Sequence, residues 1–76
     1  MSQNVINTTL PLTTNELRIL GHLPQGLTNK QIAREEAISP ETVKCHLTSI
    51  FRKLDVAPGS GARVRTVAVA KERGLV

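Results

Sequence analysis

Two segments near the middle of the chain, Gly26-Leu27-Thr28-Asn29-Lys30-Gln31-Ile32-Ala33 and Ile38-Ser39-Pro40-Glu41-Thr42-Val43-Lys44-Cys45-His46-Leu47, read as two short helices joined by a tight turn. Each carries its own start signal. Thr28 and Gln31 have the spacing in which each side chain satisfies a free amide of the other at a helix start. Ser39 suits the N-cap, and Pro40 suits the first helical position, where its missing N–H and fixed φ cost nothing. Helices that cross closely need small residues where they touch. Ala33, Ala37 and Val43, four and then six residues apart, put a small residue in the first helix, another in the turn and an aliphatic one in the second. A chain with this pair is committed to a helical domain organised around a tight crossing.

The second of these helices has two faces. At about 100° per residue, Val43, Leu47, Ile50 and Leu54 fall in an arc about 60° wide, which should face the core. Glu41, Lys44, Cys45, Thr48 and Arg52 fall in a separate arc of about 100° and should face outward. Such a polar face also suits an ordinary solvated surface helix. A helix that both docks on its own domain and enters a DNA groove needs the same two faces. The preceding helix, the turn spacing and the charge balance favour the groove.

Elsewhere the signals are local. Residues 1–11 are polar and close on Pro11, as in a flexible leader or linker. Thr13 and Glu16 form another capping box, opening helix one, with Leu17, Ile19, Leu20 and Leu23 as its apolar face. Pro24 should end that helix and push Leu23 out of the helical region, with Gly26 in the left-handed stop beyond. Helix two should run from Thr28 to Glu36 with Ile32 and Ala33 inward, and helix three from the Ser39 cap to Leu54 or Asp55, a span of 39–55. Pro58-Gly59-Ser60-Gly61 reads as a loop. Arg63 to Arg73 reads as helix four, ended by Gly74. Its Val64, Val67, Ala68, Val69 and Ala70 leave it apolar around much of its circumference, so it should be deeply packed or covered by a partner. The β-branched residues there keep a strand open as a competing reading. Leu75 and Val76 should pack back on the core.

At 76 residues this is one small domain, and with a single aromatic residue, Phe51, its core must be aliphatic. One cysteine allows no internal disulfide and excludes a zinc finger, and it fits a reducing cytoplasm. No apolar run approaches the roughly 18 residues of a membrane span, and the N-terminus lacks the pattern of a signal peptide. Net charge is +4 and the isoelectric point near 10.0. From Lys44 to Lys71 there are six Lys or Arg residues and one acid, Asp55, so a polyanionic partner fits.

Catalysis finds no footing. His22 and His46 are far apart in sequence, and Cys45 and His46 point about 100° apart on a helix, so they cannot share a metal ligand. A nucleophilic cysteine with a histidine base needs a cleft that so small a chain does not build. Glu35 and Glu36 are expected to be solvated, His46 structural and Cys45 a small outward residue rather than a redox sensor. Neither metal nor cofactor is expected, and the chain does not read as an enzyme.

The residues resemble the LuxR-type (GerE- or FixJ-type) DNA-binding domain of bacterial transcription regulators. The match runs through Leu12-Thr13, Glu16, Ile19-Leu20, Gly26 to Lys30, Ile32-Ala33, Ile38-Ser39, Thr42-Val43-Lys44, His46, Ile50, Lys53-Leu54, Val56, Arg63, Ala70 and Gly74-Leu75-Val76, so it spans 12–76. The resemblance implies an all-α, compact four-helix bundle with helices two and three as a helix-turn-helix. It implies sequence-specific binding of double-stranded DNA for transcription regulation, with helix 39–55 in the major groove. Carried over by position, Lys44, Cys45 and Thr48 face base edges, and Thr28, Asn29, Lys30, Thr42, Arg52 and Lys53 face phosphates. That division suits their chemistry, since amides and hydroxyls fit phosphates and lysine fits guanine acceptors. Helix four often supplies the family's dimer contact, which assigns Val64, Val67 and Val69 to a homodimer formed on DNA. A protein-docking use of the same fold, on RNA polymerase, stays open, but needs more apolar anchors than the outer face of helix three offers.

Three departures stand out. Glu36 replaces a usual leucine, so the last turn of helix two should fray. Pro24 should shorten helix one. The Pro58–Gly61 loop is longer than usual and lies where the family approaches the DNA backbone.

Overall fold

The computed structural model describes residues 11–76, so the expected leader lies outside the described residues apart from Pro11. Thr13 starts the first helix as its sequence predicts: its Oγ1 accepts the Glu16 N–H at 3.1 Å, and Glu16 Oε1 accepts the Thr13 N–H at 2.8 Å. Helix α1 then runs Thr14–His22 and buries Glu16, Ile19 and Leu20. Leu17 departs from expectation. It is 42% exposed, because the inward arc is centred on Glu16, Ile19, Leu20 and Leu23, and Leu17 sits at its edge. Glu16, expected only as part of the cap, therefore shares the inward arc of α1 that Leu17 was expected to join.

Leu23 also departs. It stays in the right-handed helical region (φ −64, ψ −42), its N–H bonded to Leu20, and Leu23–Gln25 form a 3-10 turn. Proline only disfavours that conformation at the residue before it. Burial of the Leu23 side chain to 6% exposure, worth about 2 kcal/mol, outweighs the preference. Gly26 ends the turn at φ 76, where a side chain would be strained.

Helix α2 is Asn29–Glu36, capped by Thr28 and Gln31 as expected, with Ile32 and Ala33 buried. It does not fray at Glu36, whose Oε2 lies 2.7 Å from His22 Nε2, so α2 is tied to the end of α1. Arg18 lies beside the same carboxylate at 4.0 Å. Ala37 makes the turn in the left-handed conformation (φ 58), which costs a residue with a Cβ about 1–2 kcal/mol. Helix α3 is Pro40–Lys53, with Ser39 Oγ accepting the Thr42 N–H at 3.1 Å. Helix α4, Ala62–Glu72, follows a left-handed Gly61 and has no side-chain cap.

These four helices, with no strand among the described residues, make the all-α domain that the pattern predicts. Helix α3 packs on both α1 and α2, while α4 meets the 3-10 turn. Ile19, Leu20, Ile32, Val43 and Ile50 are fully buried, so the core is aliphatic, and Phe51 only packs partly against it. On α4 the inward residues are small ones a helical turn apart, Ala62, Thr66 and Ala70, which lets that helix approach closely. Thr66 is fully buried with no hydrogen-bond partner for its hydroxyl. Leu75 packs against the core, but Val76 stays 44% exposed.

Candidate nucleic-acid interface

Helix α3 sorts its residues as its period requires. Val43, Leu47, Ile50 and Leu54 are buried, whereas Glu41, Lys44, Cys45, Thr48 and Arg52 are exposed. Among the described residues, the side chains of the outward arc make no hydrogen bond or ion pair other than a local one: the Thr48 hydroxyl donates to the Lys44 carbonyl at 3.0 Å. Cys45 is a free thiol on that surface.

The start of α2 lies beside this face. Asn29, Lys44, Thr48, Phe51, Gly59 and Arg63 line a shallow groove of about 290 Å³, walled by α3 on one side and by the Pro58–Gly61 loop on another. Lys30 is exposed one residue further along α2. Thr28 and Thr42 are exposed but carry capping bonds: Thr28 Oγ1 accepts the Gln31 N–H at 3.2 Å, and the Thr42 hydroxyl lies 2.9 Å from that of Ser39. Lys44, Thr48 and Asn29 are therefore brought together, with Lys30 and Arg52 at the flanks.

Lys53, expected at the phosphate backbone, is used otherwise. Its Nζ donates to Glu16 Oε1 at 2.8 Å and to the Pro11 carbonyl at 3.2 Å, and its side chain is 14% exposed. Glu16 also accepts the Ser49 hydroxyl at 2.6 Å. Burial pushes the Glu16 carboxyl up, but the bonds from Lys53, Ser49 and the Thr13 amide, with the charge of Lys53, prevail and leave it lowered from 4.5 to about 2. The ammonium is thus committed to an internal carboxylate. The sequence shows Glu16 only as a cap, because both of its other partners lie on α3, far along the chain.

Two arginines are engaged in the same way. Arg63 donates from Nη1 to Asn29 Oδ1 at 2.6 Å and from Nη2 to the Leu27 carbonyl. Arg65 holds the loop, donating to the carbonyls of Ser60 at 3.2 Å and Ala57 at 2.8 Å. Among the described residues, Lys30, Lys44 and Arg52 have neither a carboxylate nor a carbonyl partner on their side chains.

On α4 the valines do not share one face. Val64 is 74% exposed, and Val67 lies half-buried beside it, both lining an apolar groove of about 390 Å³ with Leu23, Pro24 and Gly26. Val69 projects about 140° away from Val64 and packs against the core. The three-valine surface expected from the sequence is therefore split by helix geometry. His46 is half-buried beside Ile38 and Glu36 at a small cavity of about 70 Å³. No group of three potential metal ligands occurs among the described residues, and no helix there is long and apolar enough to cross a membrane.

Residues 10–69 match the model of bacterial regulatory proteins, luxR family. The chain is similar to the nitrate/nitrite response regulator protein NarP of Escherichia coli, 44% identical over 63 residues, covering 83% of this chain and 28% of that protein. It is similar to the HTH-type transcriptional regulator AlkS of Alcanivorax borkumensis, 40% identical over 92% of this chain and 8% of AlkS. It is also similar to the transcriptional regulatory protein LiaR of Bacillus subtilis, 47% identical over 70% of this chain and 25% of LiaR. Among solved structures, the response regulator ChrA of a heme-sensing two-component system superposes with a TM-score of 0.80 at 36% identity, over 97% of this chain and 35% of ChrA. The chain spans less than a third of each of these curated relatives.

Proposed function

This chain belongs to the luxR family of bacterial regulatory proteins, and on that premise we propose that it binds double-stranded DNA sequence-specifically to regulate transcription, with α3 in the major groove. The observation that carries the groove assignment is the α3 surface: Lys44, Cys45 and Thr48 stand exposed on one arc opposite a fully buried stripe. A helix of this width fits the major groove, and a lysine there meets guanine acceptors. Lys44, Cys45 and Thr48 face base edges. Thr28, Asn29, Lys30, Thr42 and Arg52 face phosphates. Lys53 is left out of that set because Glu16 holds its ammonium.

The protein pairs on DNA through α4, using Val64, Val67 and the apolar groove beside them. An isologous contact of this kind places the two recognition helices about one turn of DNA apart and reads an inverted repeat. The patch is small, so DNA contributes to holding the pair together. No observation favours docking on RNA polymerase, since the outer face of α3 presents no large exposed apolar residue. The site of action is the cytoplasm.

Selection of duplexes from a random pool, followed by affinity measurements on the selected and scrambled sequences, tests the reading. Lys44→Ala should lose about 1–3 kcal/mol of discrimination between them, whereas Lys30→Ala should weaken both alike. Equal losses on both duplexes in the two variants refute the groove assignment, and failure of the wild-type protein to enrich any sequence refutes DNA recognition itself.

A further inference from the structure

The contact between Arg63 and Asn29 carries an inference that rests on the DNA-binding reading. Arginine has donors and no acceptor. The Asn29 atom that faces Arg63 Nη1 at 2.6 Å must therefore be the amide oxygen, and the geometry agrees. The second arm of the fork is anchored on the Leu27 carbonyl, so the guanidinium cannot swing away to let the amide turn over. The oxygen is thereby held on Arg63, and the two Nδ2 hydrogens are the donors that remain for the groove that Asn29 lines with Lys44 and Thr48. A phosphate accepts hydrogen bonds and donates none. An Asn29 locked in this sense presents donors to it, and one turned over presents a repelling oxygen.

We propose that Arg63 is a positioning residue for DNA binding: it touches no nucleotide, and fixes the Asn29 amide with its donors toward the phosphate backbone. It does so from the start of α4, across the boundary between the groove beside α3 and the apolar groove beside Val64, since its side chain lines both. An ordinary structural arginine would stabilise the fold without affecting the affinity of the folded protein.

The test is a set of variants measured for stability and, separately, for affinity on a duplex selected by the wild type, at a temperature where each is folded. Asn29→Ala should bind about tenfold more weakly, as for one lost hydrogen bond to a charged group. Arg63→Met, which keeps the length of the stem, should lose a similar factor, and the double variant should lose no more than Asn29→Ala alone. Asn29→Asp is the sharpest member. Its carboxylate still accepts from Arg63, so the fold should be kept, yet it turns an acceptor to the phosphate and should bind more weakly than Asn29→Ala. If Arg63→Met does not fold, Arg63→Lys, which donates to one partner at a time, takes its place with an intermediate loss expected. Additive losses in the double variant mean that Arg63 itself meets the DNA and overturn the proposal. So does a folded Arg63 variant with wild-type affinity, or an Asn29→Asp protein that binds as well as Asn29→Ala. Wild-type protein that selects no duplex overturns the DNA-binding reading instead.

Discussion

Replacing Glu16 by Gln removes one charge from the interior and little else. Glutamine keeps the oxygen that accepts the Thr13 N–H, so the cap on α1 survives, and its volume is nearly that of glutamate. What goes is the attraction to Lys53 and the strength of the Ser49 bond. The size follows from the carboxyl itself, lowered from 4.5 to about 2 in the fold. At about 1.4 kcal/mol per unit, that difference corresponds to about 3 kcal/mol of stability contributed by the ionised form near neutral pH. For a domain of this size, about 3 kcal/mol is a large part of the total and lowers the melting temperature by about 10–20 °C. The sign sets the pH window. A carboxyl with a depressed folded value stabilises above its unfolded value and loses that contribution as pH falls through the folded one. Wild type should therefore exceed Glu16→Gln by a constant margin above about pH 5, and the two should converge between pH 4.5 and about 2. Urea titrations followed by helical circular dichroism, at a series of pH values, measure the margin directly, because carboxylates common to both proteins cancel. Equal stability at neutral pH, or a margin that persists unchanged into strong acid, refutes the assignment of the charge to Glu16.

Three further outcomes are expected. Thr66→Val should raise the melting temperature by several degrees, since it removes a fully buried hydroxyl that has no partner, worth about 1 kcal/mol; a lower melting temperature would show that the hydroxyl is bonded after all. Ala37→Gly should stabilise by up to about 1 kcal/mol in thermal melts, because glycine adopts φ 58 without strain, and a loss of stability would place the cost of ordering glycine above the strain it relieves. Val64→Glu should leave the melt within about 0.5 kcal/mol, because the site is exposed, and should keep half-site affinity while lowering cooperativity on inverted repeats in gel-shift titrations. Unchanged cooperativity in that folded variant excludes the α4 contact, and Val69→Glu is unsuited to the test because its side chain packs on the core.

The parts legible in the sequence are those governed by neighbours. The caps at Thr13, Thr28 and Ser39 each depend on a residue three positions away, and the two faces of α3 depend on one period repeated along one helix. The left-handed stop at Gly26 is equally local. What the sequence could not reveal involves partners distant along the chain. Glu16 meets Lys53 and Ser49, Glu36 meets His22, and Arg63 meets Asn29 only after the helices have packed. The position of Lys53 on the helix was readable, but its engagement was not. The α4 helix was hard to read for another reason: with apolar residues all around, its period does not say which valine faces in.

The allocation of the basic residues has a consequence for how the complex comes apart. Lys53, Arg63 and Arg65 are spent on carboxylate, amide and carbonyl groups of the protein itself, the Glu16 contact of Lys53 and those of Arg63 partly sheltered from solvent. Lys30, Lys44 and Arg52 stand in water. Dissolved ions screen exposed charges strongly and sheltered ones much less. Rising ionic strength should therefore strip the protein from a duplex, with a logarithmic slope of about −2 per subunit for the counterions that Lys30 and Arg52 release from phosphates, while the committed set keeps the domain folded. The solvated cations make attachment to DNA reversible, and the committed ones ensure that what is released is still a native domain, able to bind again as soon as the salt is withdrawn.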